Sequence, residues 1–454
     1  MTASTWYVST DGTGDFDSIT DGFDRRRPGR LQSLVYPGVY VAEEPVEHLY
    51  LSDKPLCIAG LGVVPGETVL SGHEVSFFDC PGTVVENLLM TNSRGPISTG
   101  FTTSSVIRNC VFSDNDGTLF CAAVIGEGGW DRMAVEDCVF LNNTAPSICS
   151  EIGYGAALHL EHQAADVRRC IFIGNTTSGA GAGAGIIASR YESYIEDCLF
   201  VENVAGDGAA VSTPGETGAP VRIERCTFWE NRSTTGGSAI YMMTDDWTMR
   251  HSIIAGTING WGLVAPGSGD ARCCDWWMNE RGNHAGGCYT CVPEYGNIYV
   301  DPVFCDAEAG DFGLQPWSPC LPGVHGGYAC LRIGAFDVGC AVSSMDDPEI
   351  ADEGVELDAT RYRDGIGLAA GPNPTFGPLQ LSVSVTEPTR VQVAIFDVSG
   401  RSVMDVAEED LSPGTHRYQL DDVSQLGAAR HGVYYAVVRS GNRHVSQAFV
   451  VLTR

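Results

Sequence analysis

One short pattern recurs down the middle of the chain and limits what it can fold into. An aliphatic residue, two polar residues, a cysteine, a phenylalanine and an asparagine follow one another in fixed order. The copies run Val106–Asn115 (VIRNCVFSDN), Ala134–Asn143 (AVEDCVFLNN), Val167–Asn175 (VRRCIFIGN), Ile195–Asn203 (IEDCLFVEN) and Ile223–Asn231 (IERCTFWEN). Weaker copies flank them at Val84–Asn92 and Met249–Thr257. Cysteine-to-cysteine steps of 28, 32, 28 and 28 residues fall in the range of stacked repeat architectures.

Within a copy, cysteine and phenylalanine are two apart and share one face of a strand. The aliphatic residue lies three before the cysteine, so the alternation breaks between them. A corner at the two polar residues lets both segments point inward. The asparagine then sits at the next turn, where stacked copies can hydrogen-bond to one another and to the turn backbone. A second strand follows each turn, as in Cys121–Val124, Gly155–Leu158, Gly183–Ile186, Gly208–Val211, Gly237–Ile240 and Trp261–Val264. Its small residues allow walls to approach closely. These features predict an all-β fold: a right-handed parallel β-helix over residues 1–340, with an N-terminal cap and cysteine-rich last rungs. An acidic linker follows over 341–370, then a small immunoglobulin-like β-sandwich over 371–454.

The corner residues supply an independent check. They read Arg108-Asn109, Glu136-Asp137, Arg168-Arg169, Glu196-Asp197, Glu224-Arg225 and Arg250-His251. The sign mostly alternates, so rungs stacked about 4.8 Å apart place opposite charges over one another. Such a ladder fixes register, since like charges in direct opposition repel. It also accounts for Glu136, Asp137, Glu196 and Asp197 without catalysis.

The pairing of Phe-x-x-Asn with small-small-aliphatic strands over residues 84–265 resembles outer-membrane adhesins and pectin-lyase-like β-helix proteins. The opening, Trp6 to Ile19 and Tyr36 to Tyr40, resembles the cap of pectin methylesterases. There Ile19 and Phe23 bury one face of a short helix that Pro28 and Gly29 end. The esterase's catalytic motif has no counterpart here. Val300–Phe336 resembles the closing segment of secreted bacterial β-helix proteins, with Cys320 and Cys330 the expected disulfide.

At the far end, Leu379–Val385 (LQLSVSV) alternates strictly, as a half-buried strand does. Asn373-Pro374, Phe396–Arg401 (FDVSGR), Leu411 with Gly414, Gly432–Tyr434 and the last strand ending at Arg454 resemble the C-terminal sorting domain of type IX secretion cargo. That resemblance implies recognition by outer-membrane secretion machinery and a secreted or cell-surface location. The first residues contain no signal segment, so export implies a leader outside this sequence.

The 454 residues carry a net charge of −30, which repels nucleic acid and anionic membranes. No apolar run is long enough to span a bilayer as a helix. Of the 17 cysteines, those at the repeat position read as buried core. Cys273, Cys274, Cys288, Cys291, Cys305, Cys320, Cys330 and Cys340 crowd a glycine-rich stretch and read as disulfides of an oxidising compartment. Cys273, Cys274, Cys288, Cys291 and His284 could instead bind zinc, although the spacing matches no standard finger.

No catalytic motif, phosphate loop or nucleotide fingerprint is present, and no catalytic or cofactor residue is assigned. Gly179–Gly185 lacks the lysine a phosphate loop requires. Asp11–Asp15 and Asp114–Gly117 could offer oxygen ligands to calcium, but the same residues build turns. Asp245, Asp246 and Arg250 form one conceivable carboxylate–arginine cluster. Trp261, Trp276 and Trp277 are the candidates for stacking on sugar rings. The expected function is a secreted or surface adhesin, glycan-binding or structural protein. The alternative is a polysaccharide-active lyase, hydrolase or esterase of the pectin-lyase-like superfamily.

Overall fold

In the computed structural model the described residues are 4–338 and 361–451, except 20–30, 43–46, 53–55, 63, 101–103, 119–121, 129–131, 146–154, 162, 178–183, 188–190, 214–219, 245, 266, 268, 308–310, 364, 372–378, 398–400, 421–431 and 442. The expected Phe23 helix falls on residues 20–30, outside them.

The repeat winds into a right-handed parallel β-helix with three walls. The first wall has eleven strands and carries the aliphatic positions, as in Val106–Arg108, Met133–Glu136 and Val221–Glu224. The second has ten and carries the phenylalanines, as in Val111–Ser113 and Ile171–Ile173. The third has ten and carries the small-small-aliphatic strands, as in Val124–Glu127, Val211–Thr213 and Trp261–Ala265. Neighbouring rungs pair in parallel and in register throughout, for example Ile107 with Val135, and Phe140 with Phe172.

Two tight corners shape every repeat. The second polar residue adopts the left-handed conformation in each rung: φ lies between 49° and 59° for Asn87, Asn109, Asp137, Arg169, Asp197, Arg225, His251 and Cys273. The residue before the asparagine position does the same, at Asn92, Asp114, Asn142, Gly174, Glu202, Glu230, Gly256 and Met278. Each such residue reverses the inside–outside alternation. This is why residues three apart in sequence both face the core.

Inside, Phe112, Phe140, Phe172, Phe200 and Phe228 form one stack with centroids 5.0, 4.7, 4.8 and 4.8 Å apart. Cys110, Cys138, Cys170, Cys198 and Cys226 line the core beside them, fully buried and unbridged. Burial raises the thiol pKa of Cys110, Cys138, Cys170 and Cys198 well above the usual range. They are unreactive core filler.

The asparagines form a second ladder. Each Nδ2 donates to the Oδ1 of the next: Asn115 to Asn143 at 2.9 Å, Asn143 to Asn175 at 2.9 Å, Asn175 to Asn203 at 3.0 Å and Asn203 to Asn231 at 3.0 Å. Each also donates to a main-chain carbonyl of the preceding rung, as Asn175 does to Phe140 at 3.0 Å. The backbone amides of Asn143 and Asn175 complete the pattern by donating to the next Oδ1.

The charge ladder forms as the alternating signs predict. Arg168 meets Glu196 at 3.0 Å, Arg169 meets Asp137 at 2.9 Å and Arg225 meets Asp197 at 2.8 Å. Arg108 meets Glu86 one rung earlier.

The last rungs correct one expectation. Cys330 bonds to Cys273 and not to Cys320, which is buried. Residues 271–279 (ARCCDWWMN) are a degenerate rung. Cys274 takes the inward cysteine position, while Cys273 takes the outward corner and can be reached by the hairpin Gly323–His325 with Tyr328–Cys330. Cys288 bonds to Cys291, and Cys305 is also disulfide-bonded. Cys273, Cys274, Cys288 and Cys291 therefore do not form a zinc set.

The chain divides into one unit of Met1–Pro302 with Pro322–Ala335 and another of Val303–Leu321 with Phe336–Arg454. The second contains an antiparallel sandwich of two four-stranded sheets. Leu379, Leu381, Val383, Val391, Val393, Ile395, Ala436, Val438 and Phe449 fill its core. The sheets begin earlier than the sequence pattern suggests. Arg361–Arg363 and Ile366–Gly371 pair antiparallel with each other, and the latter with Leu379–Val385. The segment read as linker up to residue 370 thus supplies two strands.

Candidate functional site

The third wall and the turns that lead into it are where side chains depart from the repeat. Along this wall Val75, Phe77, Val124, Leu158, Leu160, Val211, Ile240 and Leu263 face the core. The alternate positions face outward. Register places Tyr50, Ser76, Ser98, Ile125, His159, Ser212, Tyr241 and Val264 in one outward column, of which Ser76, Ile125, His159 and Ser212 are buried. In the column two residues further on, Glu127 lies directly opposite Glu161.

At the C-terminal end of this face, four consecutive rungs contribute to one edge. Asp207, Gly236-Gly237, Trp261 and Arg281-Gly282 all lie where a turn enters the third wall. A Cβ on Gly237 would coincide with the Asp207 carboxylate, and one on Gly236 would lie 2.4 Å from the Arg281 guanidinium carbon. Both side chains therefore reach onto the same pair of glycines. Neither makes an ion pair or side-chain hydrogen bond among the described residues, although most arginines of the helix are paired. Partial burial raises the Asp207 pKa and, with Asp207 nearby, that of Tyr241. Gly208 packs beneath Tyr241, whose Cβ would stand 2.9 Å from any Cβ placed there.

Of the three tryptophans, only Trp261 belongs to this edge. It is half-buried, and its ring lies against Gly282. Trp276 is 1% exposed and sits in the core, so it presents no face to a ligand. It takes the phenylalanine position of the degenerate rung, a match visible once residues 271–279 are aligned to the repeat. Trp277 is half-buried on the second wall, in register with Ala255 and Trp229.

The other sequence candidates resolve into structural roles. Asp246 pairs with Arg222 at 2.6 Å, and Arg250 pairs with Asp270. Asp245 lies outside the described residues. Asp11 accepts hydrogen bonds from Ser9 and Thr13, which hold its pKa near 2, and Asp15 accepts from the Tyr7 amide. Asp114 and Asp116 bond to Ser113 and Thr118. These are self-satisfied turns, and no group of three His, Cys, Asp or Glu side chains is placed to hold a metal ion among the described residues.

A second departure lies near the N-terminus, which sequence reasoning missed. Tyr50 and Phe78 are 38% and 40% exposed and stack with centroids 6.4 Å apart. Phe78 packs against Gly100, where a Cβ would approach the ring to 2.7 Å. Four residues before Phe78 on the same face, Glu74 has no exposed surface.

The sandwich identifies the export route. Residues 371–452 match the family model of the secretion system C-terminal sorting domain. The protein is a secreted or cell-surface β-helix protein with a type IX sorting domain, which implies contact with the secretion machinery. No helix of the described residues is long and apolar enough to cross a membrane. No curated protein matches the chain. Among solved structures, one titled as a complex of alginate lyase AlyF-OU02 with G6 is similar at 10% identity and a TM-score of 0.36. The match covers 64% of this chain and 62% of that one, so this chain spans about three fifths of the length of that structure.

Proposed function

We propose that this protein binds a polysaccharide chain along the third wall and its entry turns, and so acts as a surface glycan-binding protein or adhesin. One observation carries the reading. Asp207 and Arg281 approach the same two glycines without satisfying each other, beside the half-exposed ring of Trp261. Unpaired donors and acceptors flanking an aromatic ring suit sugar hydroxyls and the apolar face of a pyranose. The glycines leave room for both side chains to reach the turn.

The extent of the face supports a polymer. Tyr50 and Trp261 stand eight rungs apart, roughly 38 Å at the spacing of paired strands. Between them the outward column offers the half-buried Ser98 and Tyr241. The cavity of about 170 Å³ lined by Gln392, Phe396, Asp405 and Arg439 in the sandwich is smaller than typical small-ligand pockets of roughly 300–1,000 Å³.

The test is retention of the full-length protein on a panel of immobilised neutral and acidic polysaccharides. Trp261→Ala and Arg281→Ala are each expected to weaken binding about tenfold, the equivalent of about 1.4 kcal/mol of lost contact. Unchanged retention of both variants, or no retention of the wild type on any polysaccharide, overturns the reading.

A further inference from the structure

We propose that residues 331–335, anchored by the Cys273–Cys330 disulfide, are a latch that locks the C-terminal rungs of the β-helix from outside and holds the Trp261–Arg281 edge in shape. The control of that edge rests on the binding reading above; the latch itself does not.

The path of this arm carries the inference. Asp197, Arg225, His251 and Cys273 occupy one outward corner column on successive rungs, each with φ between 49° and 53°. The arm belongs to the same unit of the chain and runs lengthwise beside this column instead of winding round it. Cys330 is bonded to Cys273. The Gly334 amide donates to the His251 carbonyl at 2.7 Å. The Ala335 amide donates to Thr227 Oγ1 at 3.0 Å, one rung further back. Arg332 reaches Asp197 at 3.7 Å, a further rung back. Residues 330–335 thus touch four successive rungs.

These links differ in kind from strand pairing. A ladder hydrogen bond joins one rung to its neighbour, so an end rung, supported on one side, can peel away by itself. An arm fixed to four rungs makes them open together or stay closed. Gly334 is its seat. A φ of 101° is closed to most side chains, and a Cβ there would stand 2.6 Å from Ile253 Cδ1 and 3.1 Å from Thr227 Oγ1. Beneath it the outward-facing Thr227 and Ile253 are 1% and 0% exposed.

The disulfide makes the arm hard to release. It links residues 57 apart, so it removes far more freedom from the open chain than the Cys288–Cys291 bond, whose cysteines are 3 apart. Both of its cysteines are buried, which shields the bond from thiols once the arm is seated. The latch is therefore set as the chain folds in an oxidising compartment. The two thiols release two protons and pass two electrons to a disulfide carrier, which leaves as a dithiol.

Chain order connects the latch to the candidate edge. Trp261 lies between His251 and Cys273, the two positions clipped at the end of the arm, and Arg281 follows Cys273. The strand Trp261–Ala265 has only the terminal strand His284–Gly286 beyond it in the third wall.

The experiment compares full-length wild type, Cys330→Ser and Gly334→Ala by hydrogen exchange. The amides of Ile253, Leu263 and Asp275, each bonded to a neighbouring rung, are expected to exchange about tenfold faster or more in both variants. Those of Val111 and Val139, bonded between rungs far along the helix, are expected to stay within about twofold. Unchanged exchange in either folded variant overturns the latch. So does an equal rise at Val111 and Val139, which marks a general loss of stability. Gly334→Ala retains both cysteines, so it decides the matter if Cys330→Ser does not fold. Failure of both to fold overturns the latch as well, because the arm would then hold the whole helix and not its end. Retention on the polysaccharide panel tests the control of the edge. Retention weakened about tenfold in both variants supports it; full retention with faster exchange overturns it and leaves the latch. A wild type that no polysaccharide retains overturns the binding reading, and the exchange rates alone then decide the latch.

Discussion

Glu74 has a consequence for stability that does not depend on any ligand. Its folded pKa of about 6 lies above the 4.5 of an ordinary glutamate. A carboxyl with a raised folded pKa destabilises the fold once it must ionise. The penalty is absent below about pH 4.5, grows between 4.5 and 6, and is complete above. Glu74→Gln should therefore raise the melting temperature at pH 7.5 by an amount equivalent to at most about 2 kcal/mol, and change it little at pH 4. Equal shifts at the two pH values contradict this account. The residue was not legible in the sequence, because nothing in HEVSFF distinguishes a glutamate facing solvent from one roofed by later rungs. Trp276 shows the opposite case. The rung alignment that buries it was readable, but two adjacent tryptophans in a glycine-rich stretch resemble a surface cluster until Cys274 is matched to the core cysteines.

At the scale of elements, the repeat was legible because its signals are local. Cysteine, phenylalanine and asparagine each occupy a fixed place relative to two left-handed corners, and the arginine–carboxylate alternation follows from stacking alone. The disulfide was not legible, because pairing depends on where a hairpin folds back rather than on spacing. The onset of the sandwich at residue 361 was obscured by an acidic stretch that reads as linker. The ladder predicts its own cost of interruption. Asn175 accepts from the backbone amide and Nδ2 of Asn143, and donates to Phe140 and Asn203. All four groups are buried, so Asn175→Ala should cost about 3–5 kcal/mol, measured by denaturant unfolding. Asn115 ends the ladder, and among the described residues its Oδ1 accepts from the Ser93 amide alone. Asn115→Ala should cost less.

At the scale of the whole molecule, two features serve different ends. The β-helix gives a long regular scaffold, and the sorting domain sends it outside. Removing residues 371–454 should leave the protein in the periplasm, measured by fractionation of cells expressing it behind an export leader. Surface display without those residues would overturn the sorting role. The charge of −30 suits a solute that must stay dispersed outside the cell. On the binding reading proposed above, it favours neutral chains over polyanions, except where an arginine such as Arg281, without an ion pair among the described residues, offers a local exception.

The column of unbridged thiols acquires a new meaning once the protein leaves the cell. Paired strands hold neighbouring cysteines about 4.8 Å apart at the backbone, within reach of a disulfide if the geometry relaxes. Only closure of the rungs keeps oxidant away. A rung that opens in an oxidising medium exposes sulfurs that can cross-link or acquire oxygen before it recloses. Transient opening then leaves a permanent chemical scar. The fold therefore ages by a ratchet: its lifetime outside the cell is set by how rarely the rungs breathe, rather than by its equilibrium stability.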